Sequence, residues 1–218
     1  YTYHNYKALQ MILKASHHPV IYPFFKLYTV WKIHRHFNEV KIRGEVSDKG
    51  LPLLLISNHF SWWDGFWAMY LNMKLFRRKF CFMMQEENLR KYSFFNKTGG
   101  YSVRKGSKSI FESLEYTVKL LKEKRNLVLI FPQGEIEPMR CSQVTFQKGL
   151  QHILQKINEP VQIVFLVNII EYYSNPRPTL FMNIREFEMT EGKEPEIEKT
   201  YRDFYSDVLS DFSKNDLQ

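Results

Sequence analysis

The sequence predicts an α/β domain: a mixed, largely parallel sheet flanked by helices, with an N-terminal amphipathic helical segment. Two observations carry this. Short apolar runs without polar alternation recur along the chain, as strands buried on both faces require. Segments with helical spacing lie between them, and strands alternating with helices specify an α/β architecture. The 218 residues suit one domain with a full core.

The elements follow in order. Residues 1–38 read as helical, interrupted near Pro19 and Pro23. Val40 to Arg43 is a short strand ending at Gly44, and Leu51 to Ser57 a buried one. Trp62 to Met73 reads as a helix and Lys79 to Met84 as a strand. Ser109 to Lys124 places Ile110, Leu114, Val118 and Leu121 on one helical face. Leu127 to Phe131 is a strand, Phe146 to Ile157 a helix, and Val161 to Ile170 and Leu180 to Ile184 are strands. An acidic helix closes the chain from about Glu196. The expected division is an N-terminal basic, aromatic segment over 1–38 and the main domain over 39–218.

Charge is unevenly placed. The net charge is +8, yet from Glu186 onward ten acids face four bases. The first 38 residues hold Lys7, Lys14, Lys26, Lys32 and Arg35 and no acid. Tyr22, Phe24, Phe25, Tyr28, Trp31 and Phe37 lie among them. Such a segment fits the interface of an anionic membrane; a surface helix docked on its own domain is the alternative. No Gly-rich RNA-binding strand, zinc finger or helix-turn-helix pattern occurs, so nucleic acid is not an expected partner. Apolar runs such as Leu53 to Ile56 and Leu127 to Phe131 are far too short to cross a bilayer. Cys81 and Cys141 form neither a disulfide framework nor a metal motif. The His17-His18 and His34-x-His36 pairs lack a carboxylate or Cys at ligand spacing, so no metal is expected.

Ligands of such sheets sit at the carboxyl ends of the strands. Leu51 to Ser57 runs into Asn58-His59-Phe60-Ser61-Trp62-Trp63-Asp64. His59 stands at the strand exit, and Ser61 with Asp64 has the spacing of a capping box. Asp64 can then accept the proton of one imidazole nitrogen and leave the other as a base. The alternative is that Asp64 only caps and His59 only packs. Leu127 to Phe131 runs into Pro132-Gln133-Gly134-Glu135, a turn whose backbone N–H groups could bind an oxyanion or a head group. Gly99-Gly100-Tyr101-Ser102-Val103-Arg104-Lys105-Gly106 could hold a phosphate through Arg104 and Lys105. No Gly-x-Ser-x-Gly elbow, P-loop or Gly-x-Gly-x-x-Gly occurs, which removes nucleophile-elbow, NTP and dinucleotide chemistry.

Taken together these segments resemble the glycerolipid acyltransferases, the 1-acylglycerol-3-phosphate acyltransferase group. Asn58-His59-x4-Asp64 resembles the family's Asn-His-x4-Asp motif. Gly100-Tyr101-Ser102-Val103-Arg104 is similar to its second motif, Phe131-Pro132-Gln133-Gly134-Glu135 to Phe-Pro-Glu-Gly-Thr-Arg, and Phe146-Gln147-Lys148-Gly149 to the Phe-Lys-x-Gly that follows. The resemblance spans about residues 40–170. Three positions depart from it: Gln133 replaces Glu, Glu135 replaces Thr and Ile136 replaces Arg. Phe165 falls where the fourth motif has Pro.

The resemblance implies the glycerolipid acyltransferase fold and an O-acyltransferase. His59 would be general base and Asp64 its orienter, with no metal or other cofactor beyond the donor substrate, acyl-CoA or acyl carrier protein. Arg104 and Lys105 would hold an anionic head group, and Phe131, Pro132, Gln133, Gly134 and Glu135 would contact substrate, with oxyanion donors near Gly134. The acceptor would be a lyso-lipid: the departures leave lysophospholipid, aminolipid and glycolipid beside lysophosphatidate. The expected place is peripheral, at the cytoplasmic face of a membrane. An inactive lipid-binding module on the same fold is the alternative.

Overall fold

Alternation along the central strands divides the core in two. Leu54, Ile56, Val128, Ile130, Ile163, Phe165 and Val167 face one side of the sheet. Leu53, Leu55, Leu127, Leu129, Val164 and Leu166 face the other. Both sets are buried, which is why these strands read as unbroken apolar runs.

The computed structural model describes residues 12–104, 106, 109–139, 144–188 and 196–215. The strands are β1 (Glu39–Arg43), β2 (Leu53–Ser57), β3 (Lys79–Gln85), β4 (Gly100–Val103), β5 (Asn126–Ile130), β6 (Gln162–Glu171) and β7 (Thr179–Phe187). They form one sheet in the order β1-β7-β6-β2-β5-β3-β4. All pairings are parallel except β6 with β7. The mixed, largely parallel sheet is therefore as expected. The helices are α1 (Ile21–His36), α2 (Asp64–Leu75), α3 (Glu86–Lys91), α4 (Ser109–Leu120), α5 (Lys148–Lys156) and α6 (Ile197–Asn215). Residues of α4, α5 and α6 cover the first face, and residues of α1, α2 and α3 the second.

β1 ends at Gly44 because its backbone turns left-handed, at φ +96°. A Cβ there would lie 2.1 Å from the Ile184 carbonyl oxygen, so only glycine fits.

The expected N-terminal helix is present as α1, and the helical reading of residues 1–38 is corrected over 12–20. Residues 1–11 lie outside the described residues. Residues 12–20 are not helical. They lie instead along β4 and the segment before it: Ser102 N–H donates to the Leu13 carbonyl at 2.9 Å, and His18 N–H to that of Lys97 at 3.0 Å. An edge strand leaves backbone groups unpaired, and Leu13 takes one of them. Nor does Pro23 break α1, since it sits in the first turn, where backbone N–H groups lack intrahelical partners. The expected boundary at residue 38 falls between α1 and β1, yet α1 buries Phe25, Thr29 and Ile33 in the core. Three short elements are absent from the expected order: α3, the 3-10 turn Ser93–Phe95 and β4.

The sheet order sets the site. β2 lies between β5 and β6, so the carboxyl ends of β2 and β5 are neighbours. The segments starting at Asn58 and Phe131 thus emerge side by side.

Candidate active site

Asn58 secures the exit of β2. Its side-chain amide donates to the Asn168 carbonyl at 3.0 Å and its carbonyl accepts the Asn168 N–H at 2.9 Å. The buried side chain therefore extends the pairing with β6 one residue past the strand. His59 is thereby launched from a fixed backbone point.

Asp64 opens α2 and is fully buried. Its Oδ2 collects three donors: His59 Nδ1 at 2.8 Å, Phe60 N–H at 2.8 Å and Ser61 N–H at 2.9 Å. Burial pushes this carboxyl above the ordinary aspartate range, against the opposing pull of the His59 and Ser61 hydrogen bonds. Only half of the expected capping box forms. Asp64 reaches back to Ser61, but the Ser61 hydroxyl accepts from Trp63 N–H at 3.1 Å rather than from Asp64. Two backbone donors occupy the carboxylate, so His59 Nδ1 is the third donor and Nε2 keeps its lone pair.

The segment after β5 holds His59 from the other side. The Phe131 ring stacks on the imidazole, with centroids 4.0 Å apart and planes 11° from parallel. His59 N–H donates to Gln133 Oε1 at 2.7 Å, and Glu137 N–H donates to the His59 carbonyl at 2.9 Å. Gln133, expected to contact substrate, is buried with both polar ends engaged inside the protein: its Nε2 donates to Glu137 Oε2 at 2.5 Å. Gly134 has φ +72°, and its N–H closes a turn on the Phe131 carbonyl at 3.1 Å. That amide is therefore engaged within the turn, which leaves an oxyanion to other backbone donors near it.

A cavity of about 880 Å³ opens at this point. His59, Phe131, Pro132, Gly134 and Glu135 are part of its wall. The rest is mainly apolar and reaches both faces of the sheet, with Phe82 and Phe95 on one side and Leu114 and Ile153 on the other. Such walls suit a long hydrocarbon chain better than a polar metabolite. Cys81 is buried, and burial pushes its thiol up to about 12, which leaves it inert. Cys141 lies outside the described residues.

Arg104, expected to hold an anionic head group, is engaged within the protein. Val103 and Gly106 line the cavity, but Arg104 does not. Its guanidinium forks onto Glu86, with Nε and Nη2 each 2.6 Å from a carboxylate oxygen. Arg90 joins the same carboxylate at 2.7 Å. Arg104 and Arg90 hold the Glu86 carboxyl below the ordinary glutamate range. Lys105 lies outside the described residues. Glu86 was missed because α3 has only six residues, too few to show a helical period. Its one signal is acid at the start and base at the end, which complements the helix dipole.

A braced imidazole at the carboxyl edge of an α/β sheet, facing an apolar cavity and with no thiol nucleophile among the described residues, makes a site suited to general-base chemistry on an apolar substrate. The chain belongs to the acyltransferase family, whose model matches residues 39–167, and it is an acyltransferase. Among solved structures it is similar to the 1-acyl-sn-glycerophosphate (LPA) acyltransferase PlsC from Thermotoga maritima. The TM-score is 0.56 at 17% identity, over 88% of this chain and 78% of that one. That likeness shows the fold. No curated protein matches the chain by sequence.

Proposed function

We propose that the enzyme moves a fatty acyl group from an acyl thioester, of CoA or acyl carrier protein, to a hydroxyl of a lyso-lipid at an anionic membrane surface. The observation that carries the reading is the hydrogen bond from His59, which lines the apolar cavity, to Asp64. His59 Nε2 takes the proton of the acceptor hydroxyl as its oxygen bonds to the thioester carbonyl carbon. The C–S bond then breaks, and the leaving thiolate collects that proton from the imidazolium. Asp64 keeps Nδ1 protonated and stabilises the imidazolium. The transfer is direct, so no covalent acyl-enzyme is needed.

Two features support the membrane and the lyso-lipid. α1 is apolar on two sides. Phe25, Thr29 and Ile33 face the core, while Val20, Phe24, Leu27 and Trp31 form an opposite stripe exposed by 70, 67, 71 and 57%. Lys32 stands 5.3 Å from the Trp31 ring centroid, and no acid occurs in residues 12–38. A basic helix with an outward apolar stripe lies well at the headgroup boundary. Phe25 on the same helix lines the cavity, so a lipid could pass from bilayer to site over a short path. Because Glu86 occupies Arg104, an acceptor with a masked phosphate suits the site better than a free phosphomonoester.

The experiment is thiol release from long-chain acyl-CoA in mixed micelles with a panel of lyso-lipids. Acceptor-dependent release supports the reading. No release with CoA or with acyl carrier protein donors contradicts it.

A further inference from the structure

His59 is held by its backbone as well as its ring. One short loop supplies a partner to each of its backbone polar groups: Gln133 Oε1 takes its N–H at 2.7 Å and Glu137 N–H reaches its carbonyl at 2.9 Å. The same loop begins with Phe131, whose ring lies flat on the imidazole. Gln133 and Glu137 are themselves joined, Nε2 to Oε2, at 2.5 Å. We infer that Gln133 and Glu137 form a positioning pair that sets His59 for proton transfer. The inference rests on His59 being the base proposed above.

The chemistry of the pair is specific. Gln133 accepts at one end and donates at the other, which an amide can do and a carboxylate cannot. A glutamate at 133 could still accept the His59 N–H. Its other oxygen would then face the Glu137 carboxylate with no proton between them. Two like charges at that separation, one buried and one half-buried, push apart, and the loop carrying the Phe131 ring moves with them. Exchanging the two residues is different. A glutamate at 133 with a glutamine at 137 keeps every hydrogen bond, since donor and acceptor merely trade places. The pairing also accounts for Gln133 standing where the resembling motif has Glu: here the carboxylate is supplied by Glu137.

The test compares wild type, Gln133→Glu, Glu137→Gln and the double exchange Gln133→Glu/Glu137→Gln. It reads kcat and KM for the lyso-lipid, the thermal midpoint, and the ring-nitrogen NMR signals of His59, which report its tautomer without turnover. Small misplacements of a reacting group cost large factors, so Gln133→Glu is expected to lower kcat about tenfold or more with KM little changed. It also disturbs the His59 ring signals. Glu137→Gln stays within about threefold, because two amides still hydrogen-bond. The double exchange restores both kcat and the ring signals. Wild-type kcat and ring signals in Gln133→Glu would overturn the pair, as would a double exchange no better than that variant. If Gln133→Glu does not fold, the double exchange decides: folded with wild-type ring signals supports the pair, and unfolded or disturbed contradicts it. A wild type that turns over no acyl thioester defeats the functional reading, while the ring signals still judge the pair.

Discussion

The imidazole of His59 lies nearly parallel to the phenyl ring of Phe131, 4.0 Å away. Two adjacent strand exits thereby meet at one reactive group. Asp64 fixes the ring through Nδ1 and Phe131 fixes its plane, which leaves Nε2 as the nitrogen for substrate.

Phe131→Leu removes the stack and keeps the wall of the cavity apolar. A stacked pair contributes about 0.5–1.5 kcal/mol beyond its area, so stability falls by about that amount in a denaturant titration. kcat falls about tenfold as the ring loses its plane, with a smaller change in KM.

Asp64→Asn separates catalysis from stability. The amide accepts the Phe60 and Ser61 N–H groups as before but cannot hold His59 in the same tautomer, so kcat drops about 10²–10⁴-fold. Because burial raises the folded pKa of Asp64, the folded state still holds that proton at pH values where the unfolded chain has released it. Its contribution to stability is therefore fully present below the unfolded pKa and lost as pH rises through the folded value. At neutral pH the charged form opposes folding, and Asp64→Asn should melt no lower than wild type. A large fall in its thermal midpoint counts against this balance.

Glu86→Gln tests the paired arginines. Hydrogen bonds to charged groups contribute about 1.5–3 kcal/mol, and the variant should lose about that much at neutral pH. Arg104 and Arg90 hold the folded pKa of Glu86 down. The stabilisation is thus present above the unfolded pKa and lost as pH falls through the folded one. The gap between variant and wild type should close in acid. Freeing Arg104 should also lower KM for a phosphomonoester lyso-lipid, while KM for a choline or ethanolamine lyso-lipid stays put.

Leu27→Glu and Trp31→Glu place charge on the outward stripe of α1 without touching the core. Burying one such side chain contributes about 1.5–3 kcal/mol, so binding to anionic vesicles should weaken by tenfold or more in co-sedimentation. Turnover of a water-soluble short-chain substrate should be unchanged. Unaltered vesicle binding by both variants would remove α1 from the interface.

The parts of the site legible in the sequence are those made within one local stretch. His59 and Asp64 lie on one strand exit and the helix turn after it, so spacing alone brings them together. Gln133 was read as a substrate contact because its role depends on β2 and β5 being neighbours, a property of sheet order that no local pattern carries. The Arg104–Glu86 pair is not legible locally, because Glu86 sits on a six-residue helix 18 residues away. Residues 12–20 fall in the span that reads as helical, yet they lie along β4 and the segment before it, a pairing that no local pattern carries. α1 held as a helix, but apolar residues on two sides blurred its inward face.

The most direct test of the central claim compares wild type with His59→Ala in acyl-CoA thiol release, with and without a lyso-lipid acceptor. The account predicts acceptor-dependent release by wild type and a loss of about 10²–10⁴-fold in a variant that still folds. Wild-type turnover in His59→Ala would contradict it. So would a wild type that binds vesicles but releases no thiol from CoA or acyl carrier protein donors, which would leave a lipid-binding module on this fold.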